Sequence, residues 1–412
     1  MKRLNILTIS AALLGLLSFQ SEAQTVADEL LDKGRKAYMD YDFDGAAEHY
    51  ANARKKAGKK ASVEFLETLD LYNRQLTMAE NFLERVEKIE IIDSITVPKK
   101  TFFKHYLLPP PSGYLGDGAM LPNGADADEV DYVFTNEGGD YKLWAQPDSS
   151  GVFRLMEAIR LTDGSWNPPA HLDDELSEGG DAVYPFMMAD GVTLYYADNG
   201  DNSMGGYDIM VATRDAADGE FLQPQNLGMP YNSPFDDYLL AVDELNGVGW
   251  WATDRKQLGD SLTVFLFKVN DLRRNYSPED ENLTAFARVD DIILTQDPDS
   301  NFDSLLEEIK KINPAVPAER NIDFIFPMRN GKIYYEYSDF KNAGARAMMK
   351  KYMAAKKNLD EKSANLSDLR REYYDTPVEA TATKIRRLEA DTERDRVNVD
   401  KLRSEVYRAE VQ

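Results

Sequence analysis

The stretch Gly191-Val192-Thr193-Leu194-Tyr195-Tyr196-Ala197, followed by Gly206-Tyr207-Asp208-Ile209-Met210-Val211, decides how the chain is read. Both runs have strand length, are rich in β-branched and aromatic residues, and are bounded by Gly, Asn and Asp. A short polar turn separates them, so the two runs are expected to form a pair of neighbouring strands. The same layout occurs twice more. Asp131-Tyr132-Val133-Phe134-Thr135 leads to Asp140-Tyr141-Lys142-Leu143-Trp144-Ala145, and Gly247-Val248-Gly249-Trp250-Trp251-Ala252-Thr253 leads to Leu262-Thr263-Val264-Phe265-Leu266-Phe267.

Tyr132 and Tyr195 are 63 residues apart, and Tyr195 and Trp250 are 55 apart. Short strands repeating every ~40–50 residues are the signature of propeller blades, here with longer insertions. Residues 89–340 are therefore expected to form a β-propeller of about five blades, with six or seven as alternatives. Strands at 89–97 and 283–294, and a hairpin at 323–338 around Asn330-Gly331, would complete the ring. A β-sandwich is the alternative fold.

Both flanks read as helical. Within 24–88 strong helix formers dominate, and Gly34, Ala46 and Ala53 are small enough to let two antiparallel helices approach while Tyr50 fills the space between them. Asp42-Phe43-Asp44-Gly45 supplies the turn, and residues 61–82 supply a further helix. An isolated unit of this kind needs a neighbour to cover its open face. In 341–412, Ala345, Tyr352, Leu359, Leu366 and Tyr373 recur every seven residues. After Asp375-Thr376-Pro377 a second series runs through Ile385, Thr392, Val399 and Val406. Two heptad stretches around a proline break predict an antiparallel coiled-coil hairpin, with Lys362 and Asp395 in its seam. A parallel homodimeric zipper is the alternative. Overall the reading is a multi-domain α and β protein.

Residues 1–23 read as a secretory signal peptide. Lys2 and Arg3 precede an apolar run from Leu4 to Leu17, and Ser21-Glu22-Ala23 gives small residues at the cleavage site. A membrane anchor is the alternative, but a run of about 14 residues is short of the ~20 a span needs. The mature chain is expected to start at Gln24 and to be exported without a lipid anchor.

The chain has 412 residues, no Cys and a formal charge of −24. Disulfides, thiolate metal sites and a cysteine nucleophile are excluded. The acidity is concentrated. Residues 91–340 hold 18 basic against 44 acidic residues, a charge of −26, whereas 24–90 carry −3 and 341–412 carry +4. A face so acidic opposes binding to nucleic acid and anionic lipid. The helical ends are free of that repulsion and are expected to bind protein partners.

Candidate chemistry is sparse. His49, His105 and His171 stand in unrelated contexts without metal-ligand spacing. Asp198-Asn199-Gly200-Asp201-Asn202 offers oxygens to calcium, but the twelfth position of that loop is Ile209 where an EF-hand needs Glu. Asp236-Asp237 and Asp173-Asp174-Glu175 are candidates for paired carboxylates in glycoside hydrolysis. Tyr195-Tyr196 and Trp250-Trp251 are candidates for a glycan surface, although strand neighbours face opposite sides and core packing is the default. Arg54-Lys55-Lys56 with Lys59-Lys60 reads as a helix end whose cations favour the dipole. No catalytic, cofactor-binding or metal-binding residue is assigned, and no cofactor is expected.

Residues 30–58 resemble a tetratricopeptide (TPR) unit in the spacing of Gly34, Ala46, Tyr50 and Ala53, with Leu30 where that family usually has Trp. Asp190-Gly191 with Gly205-Gly206-Tyr207-Asp208-Ile209 resembles the PD40 repeat of WD40-like, TolB-type propellers. The order signal peptide, TPR-like helices, PD40 propeller is similar to a family of exported Gram-negative envelope proteins, many of which continue into an OmpA-type peptidoglycan-binding domain. The helical hairpin stands here in place of that domain. The resemblance implies a non-catalytic scaffold in the periplasm or at the outer membrane, an adaptor for assembly, secretion or uptake machinery. A glycan- or peptidoglycan-binding propeller is the first alternative, and a propeller glycoside hydrolase the second.

Overall fold

A computed structural model describes residues 24–122, 130–161, 163–172, 176, 179–215, 219–312, 323–324, 326–328, 333–334, 336–375 and 378–411. The predicted signal peptide, Asp173-Asp174-Glu175 and the Asn330-Gly331 turn lie outside these residues. The chain divides into two compact units, one extending to residue 318 without 160–165, the other comprising those six residues and everything from 319.

The first unit opens with helices α1 (24–39), α2 (Phe43–Ala57) and α3 (Val63–Leu83). The expected turn lies slightly earlier than read. Asp42 is the N-cap of α2, its carboxylate accepting from the Gly45 N–H at 3.0 Å, and Ser62 caps α3 through the Phe65 N–H. Gly34 does allow the close approach: a Cβ there would sit 2.4 Å from the Tyr50 ring. The open face of the helices is covered from within the chain. Tyr38, Tyr50, Phe65, Leu69 and Leu76 share a core with Met204, Met229, Leu283 and Phe286. Gly228, at φ +71°, leaves room for the Phe82 ring, which a Cβ there would approach to 2.7 Å.

Among the described residues, the strands of the first unit form three separate antiparallel sheets, and none is closed. The first contains β2 (Tyr114–Gly116), β3 (Val133–Thr135), β4 (Tyr141–Pro147), β5 (Phe153–Ile159) and β6 (Ala170–His171) in sequence order. The second contains β7 (Ala182–Met187), β8 (Thr193–Asp198), β9 (Asp208–Thr213) and β10 (Gln225–Asn226). The third joins β11 (Asp237–Asp243), β12 (Val248–Thr253) and β13 (Ser261–Lys268) to β1 (Glu90–Pro98), which returns from far upstream to pair with β13.

The expected five-bladed propeller is therefore not what forms. Each quoted strand pair is a real hairpin, but the described residues form no further sheet of four or more strands beyond these three. Residues 283–294 contain helix α4 (Leu283–Arg288) and most of a 3₁₀ turn (Ile292–Thr295) instead of a strand. The Thr295 hydroxyl in that turn accepts from the Ile91 N–H at 2.9 Å, so the segment covers the edge of β1. A further short helix, α5 (Asp303–Ile309), follows. The ladder at 323–338, β14 (Phe326–Pro327) with β15 (Ile333–Tyr334), falls in the second unit.

The three sheets bury one aromatic and aliphatic core, in which Trp250 and Trp251 are 4% and 0% exposed. Arg255 braces the third sheet. Its guanidinium pairs with the fully buried Asp237 at 2.9 Å and donates to the carbonyls of Pro230 and Tyr231.

In the second unit, α6 (Ala343–Asp375) and α7 (Glu379–Val411) run antiparallel, each about 50 Å long. Phe324, Phe326, Phe340, Ala345, Met349 and Val406 form the core at the base. The Glu410 carboxylate accepts from the N–H groups of Lys341 and Asn342, at the start of α6, and from the Tyr334 hydroxyl. Away from the base the seam changes. Leu366 and Val399 are its buried apolar residues, alongside Thr381, Thr392, the Lys362–Asp395 pair at 2.6 Å and the Arg370–Glu389 pair at 2.6 Å.

Candidate functional site

The first unit carries a cavity of about 220 Å³ lined by Asp131, Tyr132, Val183, Tyr184, Tyr207 and Tyr238, with Ala145 and Phe153. It is built from equivalent points of the three sheets. An aspartate stands just before one strand of each: Asp131 before β3, Asp181 before β7 and Asp236 before β11. Strands β7 and β11 each carry a β-bulge, between Val183 and Phe186 and between Tyr238 and Ala241. In each bulge a bulky residue takes the left-handed region, Tyr184 at φ +53° and Leu239 at φ +40°. That conformation costs a non-glycine residue about 1–3 kcal/mol.

Two buried tyrosines hold these bulges. The Tyr132 hydroxyl donates to the Pro185 carbonyl at 3.0 Å, and the Tyr106 hydroxyl to the Leu239 carbonyl at 2.9 Å. Burial raises the pKa of both phenols well above the ordinary value. Each hydroxyl satisfies a carbonyl freed from the regular ladder.

Tyr184 is the hub of the aromatic lining. Its ring lies 5.4 Å from Tyr132, 5.5 Å from Tyr238 and 5.2 Å from Phe102, all edge to face. Burial, with the nearby Asp131 charge adding to it, pushes its phenol up to about 12, so it stays neutral over the physiological range.

The rim is acidic. The Tyr238 hydroxyl donates to Asp236 at 2.8 Å, and the Tyr207 hydroxyl to Asp181 at 3.1 Å. The Asp236 N–H donates to the Asp254 carboxylate at 3.0 Å, and burial together with the Asp236 charge raises the Asp254 pKa. The Lys99 ammonium stands 3.7 Å from Asp236, 3.8 Å from Asp254 and 5.2 Å from the Tyr238 ring centroid. The chemistry on offer is aromatic faces with carboxylate acceptors, suited to a cation.

The residues singled out in the sequence fall elsewhere, with one exception. Asp236 accepts from the hydroxyl of the lining Tyr238, whereas its neighbour Asp237 is buried against Arg255, so the adjacent acids do not share a pocket. His49, His105 and His171 lie in α2, in the 3₁₀ segment Lys99–His105 and in β6, and no group of three His, Cys, Asp or Glu with metal-binding geometry occurs among the described residues. In the 198–202 loop Asp198 is buried and accepts from the Gly200 N–H, while Asp201 is exposed and reaches toward Arg74 at 3.8 Å. Tyr196, Trp250 and Trp251 are buried core residues, and Trp250 stacks on Tyr106. Arg54, Lys55 and Lys56 occupy the exposed last turn of α2, where Arg54 donates to the Gly58 carbonyl.

Sequence reasoning passed over Lys99, Tyr184 and Tyr238, and read Tyr132 and Tyr207 as strand residues only. A signal was present: Asp131, Asp181 and Asp236 recur at spacings of 50 and 55 residues, each just before a strand. No described helix is long and apolar enough to cross a membrane. No protein-family model, curated protein or solved structure matches the chain.

Proposed function

We propose that the protein is an exported, non-catalytic scaffold of the cell envelope that joins protein partners, with the C-terminal hairpin as its main binding arm. The supporting observation is the uneven seam between α6 and α7. The base is tied by Phe326, Met349 and Val406, but away from it the buried apolar residues are Leu366 and Val399, and two ion pairs and two threonines fill out the seam. Partly exposed ion pairs contribute little to stability, so the distal half gains most from packing on another protein. Export is supported by the order of residues 1–23. Helices α1–α3 have a lesser role as a docking surface, because the face they would offer is spent on Met204, Met229 and Phe286. A glycan surface built on Tyr195-Tyr196 and Trp250-Trp251 loses support, since three of those four rings are buried.

The test is co-purification of the tagged full-length protein from detergent-solubilised envelope, run beside binding to purified peptidoglycan. Stoichiometric recovery of a defined protein partner, reduced when distal hairpin residues such as Arg370 and Tyr373 are changed, is the expected result. Saturable peptidoglycan binding with no protein partner would overturn the reading.

A further inference from the structure

We propose that the tyrosine-lined cavity of the first unit is a receptor for one arginine side chain from a partner protein. This deepens the scaffold reading and rests on it for the existence of the partner. The cavity, at about 220 Å³, accommodates a single long side chain and not an element of secondary structure. Its wall supplies aromatic rings in the succession Tyr132, Tyr184, Tyr238 and Tyr207, neighbouring centroids 5.4–5.6 Å apart. Such rings present negative faces and attract a cation electrostatically.

Asp131 lines the cavity, Asp181 and Asp236 accept from the hydroxyls of the lining Tyr207 and Tyr238, and Asp254 stands behind Asp236, with Lys99 offsetting one of these four charges. The same chemistry already holds one cation beside the cavity: the Lys99 ammonium sits over the lining Tyr238 and between Asp236 and Asp254. Residues 91–340, which contain the three sheets apart from Glu90, carry a charge of −26, and such a field favours encounter with a basic partner.

Guanidinium fits better than ammonium. It is planar, stacks on tyrosine, and presents a fork of donors to carboxylates on either side, while shedding water more readily than a lysine head. The strained backbone at Tyr184 is a separate pointer. A tyrosine held at φ +53° is maintained by its surroundings, and such strain concentrates at binding sites. Without that bulge the hub ring would follow the regular strand alternation and leave the cavity.

The experiment uses the full-length protein and three small probes: N-acetyl-arginine amide, its uncharged citrulline counterpart and the lysine counterpart. Binding is read by saturation-transfer NMR and by chemical shifts of ring-labelled tyrosines. The arginine probe is expected to bind at least about tenfold more tightly than citrulline, more tightly than lysine, and less tightly as salt rises. Asp131→Asn combined with Asp236→Asn, both at the rim, is expected to weaken it about tenfold. Tyr184→Gly removes the hub ring and suits the left-handed backbone, so it is expected to abolish binding in a folded protein. If that variant fails to fold, the rim variants and the citrulline comparison decide. Equal binding of citrulline, or an unchanged affinity in the rim double variant, would overturn the proposal. The same rim variant separates this inference from the scaffold reading. Partner recovery that survives it removes the pocket and leaves the scaffold; arginine binding with no partner removes the scaffold and leaves the pocket.

Discussion

Helices α1–α3 and helices α6–α7 are both made of strong helix formers and carry nearly neutral charge, but they are held in opposite ways. The first set buries its face against residues more than a hundred positions away. The Tyr38 hydroxyl donates to the Met204 carbonyl, Gln75 donates to the Gly205 carbonyl at 3.0 Å, and Phe286 joins the shared core while stacking on Tyr276 at 3.9 Å. The second set buries its face mainly within 319–411, on its own base and seam. Helical periodicity alone does not distinguish the two cases. A helix supported by distant residues shares the fate of the sheets, whereas a hairpin supported by itself is weak wherever its own seam is weak.

The largest way to break this contrast is Phe286→Ala. Truncating a buried aromatic costs about 3–5 kcal/mol, and here the loss should reach the N-terminal helices. Hydrogen exchange should show α1–α3 and the sheets losing protection together. Unchanged protection in α1–α3 would mean that those helices do not depend on this support.

The second test concerns the loop that touches those helices. Asp208 is fully buried, its Oδ2 accepting from the Met204 N–H at 3.0 Å and from Asn226 at 2.6 Å, while Oδ1 meets no hydrogen-bond donor among the described residues. Burial, with Asp237 adding to it, pushes its pKa up to about 8 from 3.8. The folded state thus holds a proton that the unfolded chain releases. The associated stability is fully present below about pH 4 and is lost as pH rises through about 8. Asp208→Asn mimics the protonated acid, keeping an acceptor for Met204 and Asn226. The variant should lose less stability between pH 5 and 8.5 than the parent, with a melting temperature at the upper pH higher by on the order of 5 °C. Parallel melting curves across that range would refute the role of Asp208.

A smaller effect sharpens the hairpin side. Replacing both Lys362 and Asp395 by Leu exchanges a half-buried ion pair for an apolar seam. The hairpin should gain about 1 kcal/mol, because removing both charges also removes their desolvation cost. Reduced partner recovery from the stiffened hairpin would tie the weak seam to binding. The smallest change is Arg370→Ala. Its pair with Glu389 is exposed, so urea unfolding should move by less than about 0.5 kcal/mol. A larger loss would mean that the distal seam is tighter than its exposure implies.

Much of the local structure was legible in the residues. The quoted runs around Tyr195, Tyr207, Trp250 and Phe265 are β8, β9, β12 and β13, and the heptads ending near Val406 are α7. These signals are short-range: alternation along a strand, spacing around a helix, and turn residues between them. Residues 283–294 show where such signals end. Val289, Ile292, Ile293 and Leu294 look like a strand, yet Ile293 is 70% exposed and the segment turns so that Thr295 meets the edge of β1.

By itself, then, the sequence determined most helices and the three strand pairs, though not 283–294, together with where the acidity lies and that cysteine chemistry is excluded, because each depends on composition or near neighbours. Only the tertiary structure decided that the strands of the first unit form three sheets, that β1 pairs with β13, that α1–α3 close on Met204 and Phe286, and that Tyr132, Tyr184, Tyr207 and Tyr238 meet. Those outcomes turn on which buried surfaces match across long stretches of chain. Packing of that kind is a property of the assembled core and leaves no periodic mark in the chain that makes it.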